Sequence, residues 1–258
     1  MHGKNLVITG STQGIGLAIA CAATRAGAAS IVVTGRDAAR GAKAVAAIEA
    51  AGAKATFIAA DLADGTAPDR LFDAALAALG TIDGLVNAAG LSDRGSIAEA
   101  TPAFFDRLFT VNVRSPMFLM QRLINHLRER KAPGAIVNIL SMNAHGGSPA
   151  LGVYSATKAA LALLTKNAAQ AHRFDRIRAN GINVGWTDSP AERVMQAEKL
   201  GLGEAWLASA AAKQPWGRLL TPEDVARLAL FLLSDESVPM TGALIDQEQW
   251  VLGARDGD

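Results

Sequence analysis

One cysteine, Cys21, stands in 258 residues. A lone thiol cannot close an intramolecular disulfide, so the sequence carries no mark of an oxidising compartment. Cys21 lies in an Ala-rich stretch that reads as helix, the setting of a small buried apolar residue and not of a catalytic thiol. The four histidines and this cysteine show no ligand spacing, and no metal is expected. Charge is also scarce. Asp, Glu, Lys and Arg make up 19% of the chain, the formal net charge is +1, and both signs are spread along it. That excludes the basic footprint of a nucleic-acid binder. There is no charged tail and no low-complexity tract. No run of about 18 predominantly apolar residues is present, so no membrane span is expected. The opening MHGKN runs straight into an apolar strand, without the long apolar core and small-residue cleavage site of a secretory leader. The expected location is the cytosol.

Hydrophobic residues, by contrast, make up half of the chain, enough to bury a sizeable core. They fall in short runs that alternate with longer Ala-rich segments. Asn5–Thr9, Ser30–Thr34, Thr56–Ala59, Gly84–Val86, Ala135–Leu140, Arg178–Val184 and Ala243–Asp246 read as strands. Ile15–Gly27, Ala38–Ala51, Pro68–Leu79, Tyr154–His172 and Pro222–Leu233 read as helices, and Pro102–Arg130 as one long helix or two abutting ones. Strands that are continuously apolar, each followed by a helix, predict a parallel sheet covered on both faces. Right-handed crossovers then give a single α/β domain over residues 1–258, a Rossmann-type doubly wound sheet. The stretch from about Gly185 to Thr221 is too long for an ordinary connection and is expected to be a lid or substrate-binding insertion.

Between the first strand and the first helix lies Thr9-Gly10-Ser11-Thr12-Gln13-Gly14-Ile15-Gly16. Glycines there let the backbone turn sharply and approach a pyrophosphate, while the helix N-terminus offers free N–H groups and a positive dipole end. Gly10, Ser11, Gln13, Gly14, Ile15 and Gly16 are therefore candidate cofactor contacts. Tyr154, the only tyrosine, and Lys158 are four apart on a helix and share a face. A phenol ionises near pH 10, and lowering that to neutrality takes roughly 4 kcal/mol. A cation about 4 Å away in a partly shielded site supplies energy of that order. Lys158 is expected in that role, with Ser141 holding a substrate oxygen against the tyrosine hydroxyl.

The spacing T-G-x-x-x-G-x-G resembles the signature of the short-chain dehydrogenase/reductase family. The likeness extends through Asn87-Ala88-Ala89-Gly90 after the fourth strand, Asn112, Ser141 and Tyr154-x-x-x-Lys158, from about Lys4 to Gln247. It implies an NAD(P)-dependent enzyme that interconverts a secondary alcohol and a ketone, or a lactol and a lactone. Tyr154 would act as general acid and base and Lys158 would also contact the nicotinamide ribose. Asn112 would support a water-linked proton path, and Asp61-Leu62 would contact adenine. The resemblance also implies a homotetramer, with helices around Pro102–Arg130 and Tyr154–His172 at one interface and Ala159, Leu163 and Ala169 on the apolar face of the latter. Loss of Tyr154 or Lys158 would have marked a dinucleotide-sensing protein without catalysis; both are present. Epimerases on the same fold usually carry a longer C-terminal substrate domain.

The chain departs from the family pattern in two places. Val184-Gly185 replaces the usual Pro-Gly after the sixth strand, with Thr187 retained as a cofactor contact and Ser189 at the position of a cofactor-contacting threonine. After Ile245-Asp246 come Gln247-Glu248 in place of glycines, so the terminal segment is expected to pack against the lid or a neighbouring subunit. The acid that NAD enzymes place on the ribose 2′-hydroxyl is missing: Gly35 stands there, followed by Arg36, which can pair with a 2′-phosphate. NADP is favoured over NAD. Asn143, His145 and Trp186 are candidate substrate contacts, a mixture that points toward a sugar, a polyol or another hydroxylated secondary alcohol. A 3-oxoacyl thioester or a hydroxysteroid is not excluded.

Overall fold

The structure is a computed structural model, and residues 1–253 are described. Seven strands form one parallel sheet: β1 (Asn5–Thr9), β2 (Ser30–Gly35), β3 (Lys54–Ala59), β4 (Gly84–Asn87), β5 (Gly134–Ile139), β6 (Ile177–Val184) and β7 (Leu244–Gln247). Their spatial order is β3-β2-β1-β4-β5-β6-β7. Alternate side chains of each strand enter different cores. Leu6 and Ile8 of β1, Ile31 and Val33 of β2, and Val137 of β5 pack on one face with helices α1 (Gly14–Arg25), α2 (Ala38–Ala50) and α9 (Pro222–Leu233). Val7, Val32 and Ile136 pack on the other with α3 (Ala67–Leu79), α5 (Ser115–Glu129) and α6 (Gly152–Ala171). Both faces are dry, which is why the strands show no polar alternation in sequence. The strand order reverses between β1 and β4, and a crevice opens there at the carboxyl ends of the strands.

Three features refine the sequence expectations. The stretch Pro102–Arg130 is two helices, α4 (Pro102–Phe109) and α5, joined by a π-helical turn at Thr110–Arg114 that carries Asn112. Helix α6 buries Ala169 against the sheet and turns Ala159 and Leu163 outward, with Leu163 61% exposed. Ala169 therefore does not share an outer face with the other two. The stretch after β6 does form a separate insertion. It holds the short α7 (Pro190–Arg193), a π turn at Val194–Lys199 and α8 (Trp206–Ala211), and a bridge between Thr187 and Leu220 closes its base. The terminal segment, expected against this stretch or a neighbouring subunit, makes contacts with this stretch. Gln249 accepts from the Trp216 amide at 3.0 Å and donates to the Arg218 carbonyl at 2.7 Å, and the Trp250 indole donates to Gln214 at 3.2 Å.

Candidate active site

The crevice begins at the turn after β1. Gly10 has φ 63°, and a Cβ on it would stand 2.7 Å from the Cα of Ala89, so only glycine allows the turn to lie against the chain leaving β4. Thr9 ties the two segments together by accepting from the amides of Ala88 and Ala89, both at 3.1 Å. A cavity of about 330 Å³ follows. Gly10, Gln13, Gly14, Ile15, Gly16, Asp61, Leu62, Ala88, Ala89 and Gly90 line it, with Arg36 and Arg40 at one end and Ser189 at the other. A second cavity of about 440 Å³ shares Ile15, Ala88, Gly90, Leu91 and Ser189 with the first, so the two are lobes of one cleft. Ser141, Asn143, Tyr154, Lys158, Gly185, Trp186 and Thr187 line the second lobe.

The fold explains how Ser141, Tyr154 and Lys158 meet. Ser141 follows β5, and its hydroxyl accepts from the Asn143 amide at 3.1 Å. Tyr154 lies in the first turn of α6, and Lys158 one turn on. Thr157 donates to the Tyr154 carbonyl at 2.6 Å and accepts from Asn112 Nδ2 at 3.0 Å. Asn112 also clamps Leu91, donating to its carbonyl at 2.9 Å and accepting from its amide at 2.8 Å. The π turn thus fixes both α6 and the wall of the cleft.

The electrostatics differ from expectation. Lys158 Nζ donates to the Ile139 carbonyl at 2.8 Å and stands 5.8 Å from the centroid of the Tyr154 ring. Burial lowers the lysine to about 8. The phenol is pushed above its ordinary value by desolvation, with the Ser141 hydroxyl and Arg94 pulling down and Glu192 pushing further up. The expectation paired Lys158 with the charge of an oxidised nicotinamide; in the protein alone the Ile139 carbonyl holds the ammonium, and desolvation is the largest influence on the phenol.

Four expected site residues are not on the cleft wall: Asn112, buried as described above, and Ser11, Asn87 and His145. The Ser11 side chain is buried behind the turn, donating to the Ile8 carbonyl at 2.5 Å and accepting from the Thr34 amide at 3.0 Å. Asn87 points within the sheet and donates to Asn138 at 2.8 Å. His145 turns away in the 3₁₀ turn Met142–His145 and pairs with Asp246 at 2.9 Å, which also accepts from Asn183 at 2.7 Å. In each case a nearer polar partner holds the side chain, although the Asn87 Oδ1 itself has no partner. Thr187 Oγ1 donates to the Gly185 carbonyl at 3.0 Å, and Ser189 caps α7 by accepting from the Glu192 amide at 3.2 Å. Sequence reasoning missed Arg40, which bonds Gln13 at 2.7 Å, and Arg94, Glu192, Gln196 and Glu248 in the second lobe. The replacement of a glycine by Glu248 was the one visible signal among them.

A family model described as enoyl-(acyl carrier protein) reductase matches residues 10–247. The 3beta-hydroxysteroid dehydrogenase 1 of Eggerthella lenta is 36% identical over 253 residues, covering 95% of this chain and 92% of its own. The sorbitol dehydrogenase of Cereibacter sphaeroides is 36% identical over 243 residues, covering 92% and 93%. Among solved structures, the 3-oxoacyl (acyl-carrier-protein) reductase from Agrobacterium tumefaciens C58 with NADP bound is similar, with a TM-score of 0.85 and 30% identity over 95% of this chain and 93% of that one.

Proposed function

The chain belongs to the short-chain dehydrogenase/reductase family, as an NAD(P)-dependent oxidoreductase of CH–OH groups, and we propose that it works with NADP through a Tyr154 general acid and base. The observation that carries the proposal is the meeting of Ser141, Tyr154 and Lys158 on the wall of the second lobe, which adjoins the first.

The first lobe fits a dinucleotide. The glycine turn would hold the pyrophosphate, Asp61 and Leu62 would hold the adenine, and Ala88–Gly90, Thr187 and Ser189 would line the path to the nicotinamide. Two guanidiniums, Arg36 and Arg40, stand where a ribose 2′-phosphate would lie. A Cβ at Gly35 would be 2.8 Å from the Thr12 side chain, so no acid fits there to receive a 2′-hydroxyl unless Thr12 moves. When bound, the nicotinamide accepts or supplies the hydride. Ser141 orients the substrate oxygen. Tyr154 takes the proton from the alcohol at its hydroxyl, or returns it to the ketone. Lys158 would hold the ribose, and its charge would add to the positive field at the phenol. Asn112 keeps Leu91 and Thr157 in place around them.

The substrate is a hydroxylated secondary alcohol or its ketone, sugars and polyols included. A cytosolic homotetramer is part of the same proposal. Among the described residues no helix is long and apolar enough to cross a membrane, and Met117 of α5 and Leu163 of α6 are 40% and 61% exposed.

Titration with NADPH and NADH, read by the fluorescence of the reduced cofactor, tests the proposal. NADPH is expected to bind more tightly. Arg36→Ala and Arg40→Ala should each narrow the gap by about tenfold. Tyr154→Phe should still bind NADPH while kcat falls by about 100-fold or more. Equal binding of the two cofactors would remove the NADP assignment, and binding of neither would remove the catalytic one.

A further inference from the structure

The second lobe contains two carboxylates that the hydride chemistry does not use. Glu192, on α7, is only 15% exposed at its side chain. Its Oε1 accepts from the Trp186 indole at 2.9 Å and from Gln196 at 2.6 Å, and its one cationic neighbour, Arg94, is at 3.7 Å. Glu248, beyond the end of β7, accepts from the Trp186 amide at 3.2 Å and from the Gln249 amide at 2.6 Å. Trp186 is thus bonded to one carboxylate through its ring and to the other through its main chain, and it remains 38% exposed on the cavity wall.

A shielded carboxylate held mainly by neutral donors is costly unless a further donor arrives with the ligand. An acyl chain or a steroid body laid against this wall would strip water from both acids and return nothing. Hydroxyl groups return hydrogen bonds, and the C–H face of a polyol or sugar packs on an indole face, whose electron density attracts the slightly positive hydrogens. Arg94 supplies a donor for the oxygens of the same hydroxyls. With Lys158, the lobe carries two acids and two bases, which matches a substrate without net charge.

Resting on the oxidoreductase proposal above, we infer that Glu192 and Glu248 are the specificity determinants of this enzyme: they accept hydrogen bonds from hydroxyl groups flanking the reacting carbon, with Trp186 as the platform. The substrate class is therefore a neutral polyol or sugar carrying at least one hydroxyl beyond the one oxidised. Steady-state oxidation with NADP would be measured for a panel of hexitols and pentitols, for cyclohexanol, for a 3-hydroxybutyryl thioester and for a 3β-hydroxysteroid. At least one polyol is expected to exceed cyclohexanol in kcat/KM by about tenfold. Glu192→Gln and Glu248→Gln, tested separately so that a folding failure of one leaves the other, should each lower the polyol-to-cyclohexanol ratio by about 10- to 100-fold, chiefly through KM. A wild-type enzyme that prefers cyclohexanol, the thioester or the steroid to every polyol overturns this inference and leaves the oxidoreductase proposal standing, as does a ratio unmoved in the folded variants. Turnover of none of these compounds overturns both.

Discussion

Gly185 ends β6 with the Glu248 carboxylate lying where a side chain would begin: a Cβ there would stand 2.2 Å from Oε2. The two residues are therefore coupled. Gly185→Ala should destabilise the protein by about 1–3 kcal/mol in thermal unfolding, as overpacking does. Adding Glu248→Ala should restore most of that loss, and strict additivity in the double variant would refute the coupling. Lys158 shows the reverse case, a residue kept at a cost. Burial lowers it from 10.5 to about 8. Below pH 8 the folded protein bears the whole penalty of the buried ammonium. Between about 8 and 10.5 the unfolded chain binds more protons than the folded one, so stability rises with pH through that window. Lys158→Met should therefore raise the Tm of the cofactor-free protein at pH 7 while abolishing turnover. The gain is about 1–2 kcal/mol after the lost bond to the Ile139 carbonyl is deducted, and it should shrink by pH 10. A variant less stable than wild type at pH 7 would show that the ammonium is not a burden.

Among the elements, α9 is the best anchored at its start. Thr221 and Asp224 form a reciprocal capping box, with the Thr221 amide donating to Asp224 at 2.8 Å and the Asp224 amide donating to Thr221 Oγ1 at 3.2 Å. Arg218, at 2.6 Å, is the main reason the Asp224 carboxyl lies well below the usual carboxylate range, and Arg227 also pairs with it. Its contribution is complete above the ordinary aspartate value and is lost as pH falls through the lower folded value. Asp224→Asn should cost about 1 kcal/mol at pH 7. Melts below pH 4 should show a gap between variant and wild type that closes as the wild-type carboxylate protonates. The span Pro222–Leu233 was legible in sequence as this helix, and glycines marked the turn after β1. The sequence left the break between α4 and α5 open as one helix or two; Thr110-Val111-Asn112-Val113 and the following Pro116 suit a helix interior poorly, but nothing in them specifies a π turn. The same limit applies to the site. Ser141, Tyr154 and Lys158 were legible because α6 keeps the last two in step and β5 delivers the first. Glu192, Glu248 and Arg94 reach the lobe from three distant segments with no fixed spacing from Tyr154. His145 was read into the site from its nearness to Ser141, but the 3₁₀ turn carries it to Asp246.

At the scale of the whole molecule, the outer side of α6 leaves Ala159 and Leu163 uncovered, with Leu163 61% exposed. An apolar stripe on a helix that begins at the catalytic tyrosine fits burial against a second copy of the chain. Sedimentation of Leu163→Asp should show smaller species than the wild-type protein, with unfolding at lower temperature; an unchanged sedimentation profile would count against a subunit contact on this face. The bridge between Thr187 and Leu220 has a different consequence. It brings the two ends of the insertion side by side at the rim of the sheet, so the roughly thirty residues between them leave and return at one point. A segment hinged in that way is a cassette. It can be lengthened, shortened or exchanged with a relative's without altering the register of any strand, provided that the graft brings its own partners for Gln249 and Trp250. New substrates could then be acquired by trading the cassette, while the tyrosine, the lysine and the glycine turn pass unchanged from one descendant to the next, so long as the graft keeps Ser189 on the nucleotide lobe.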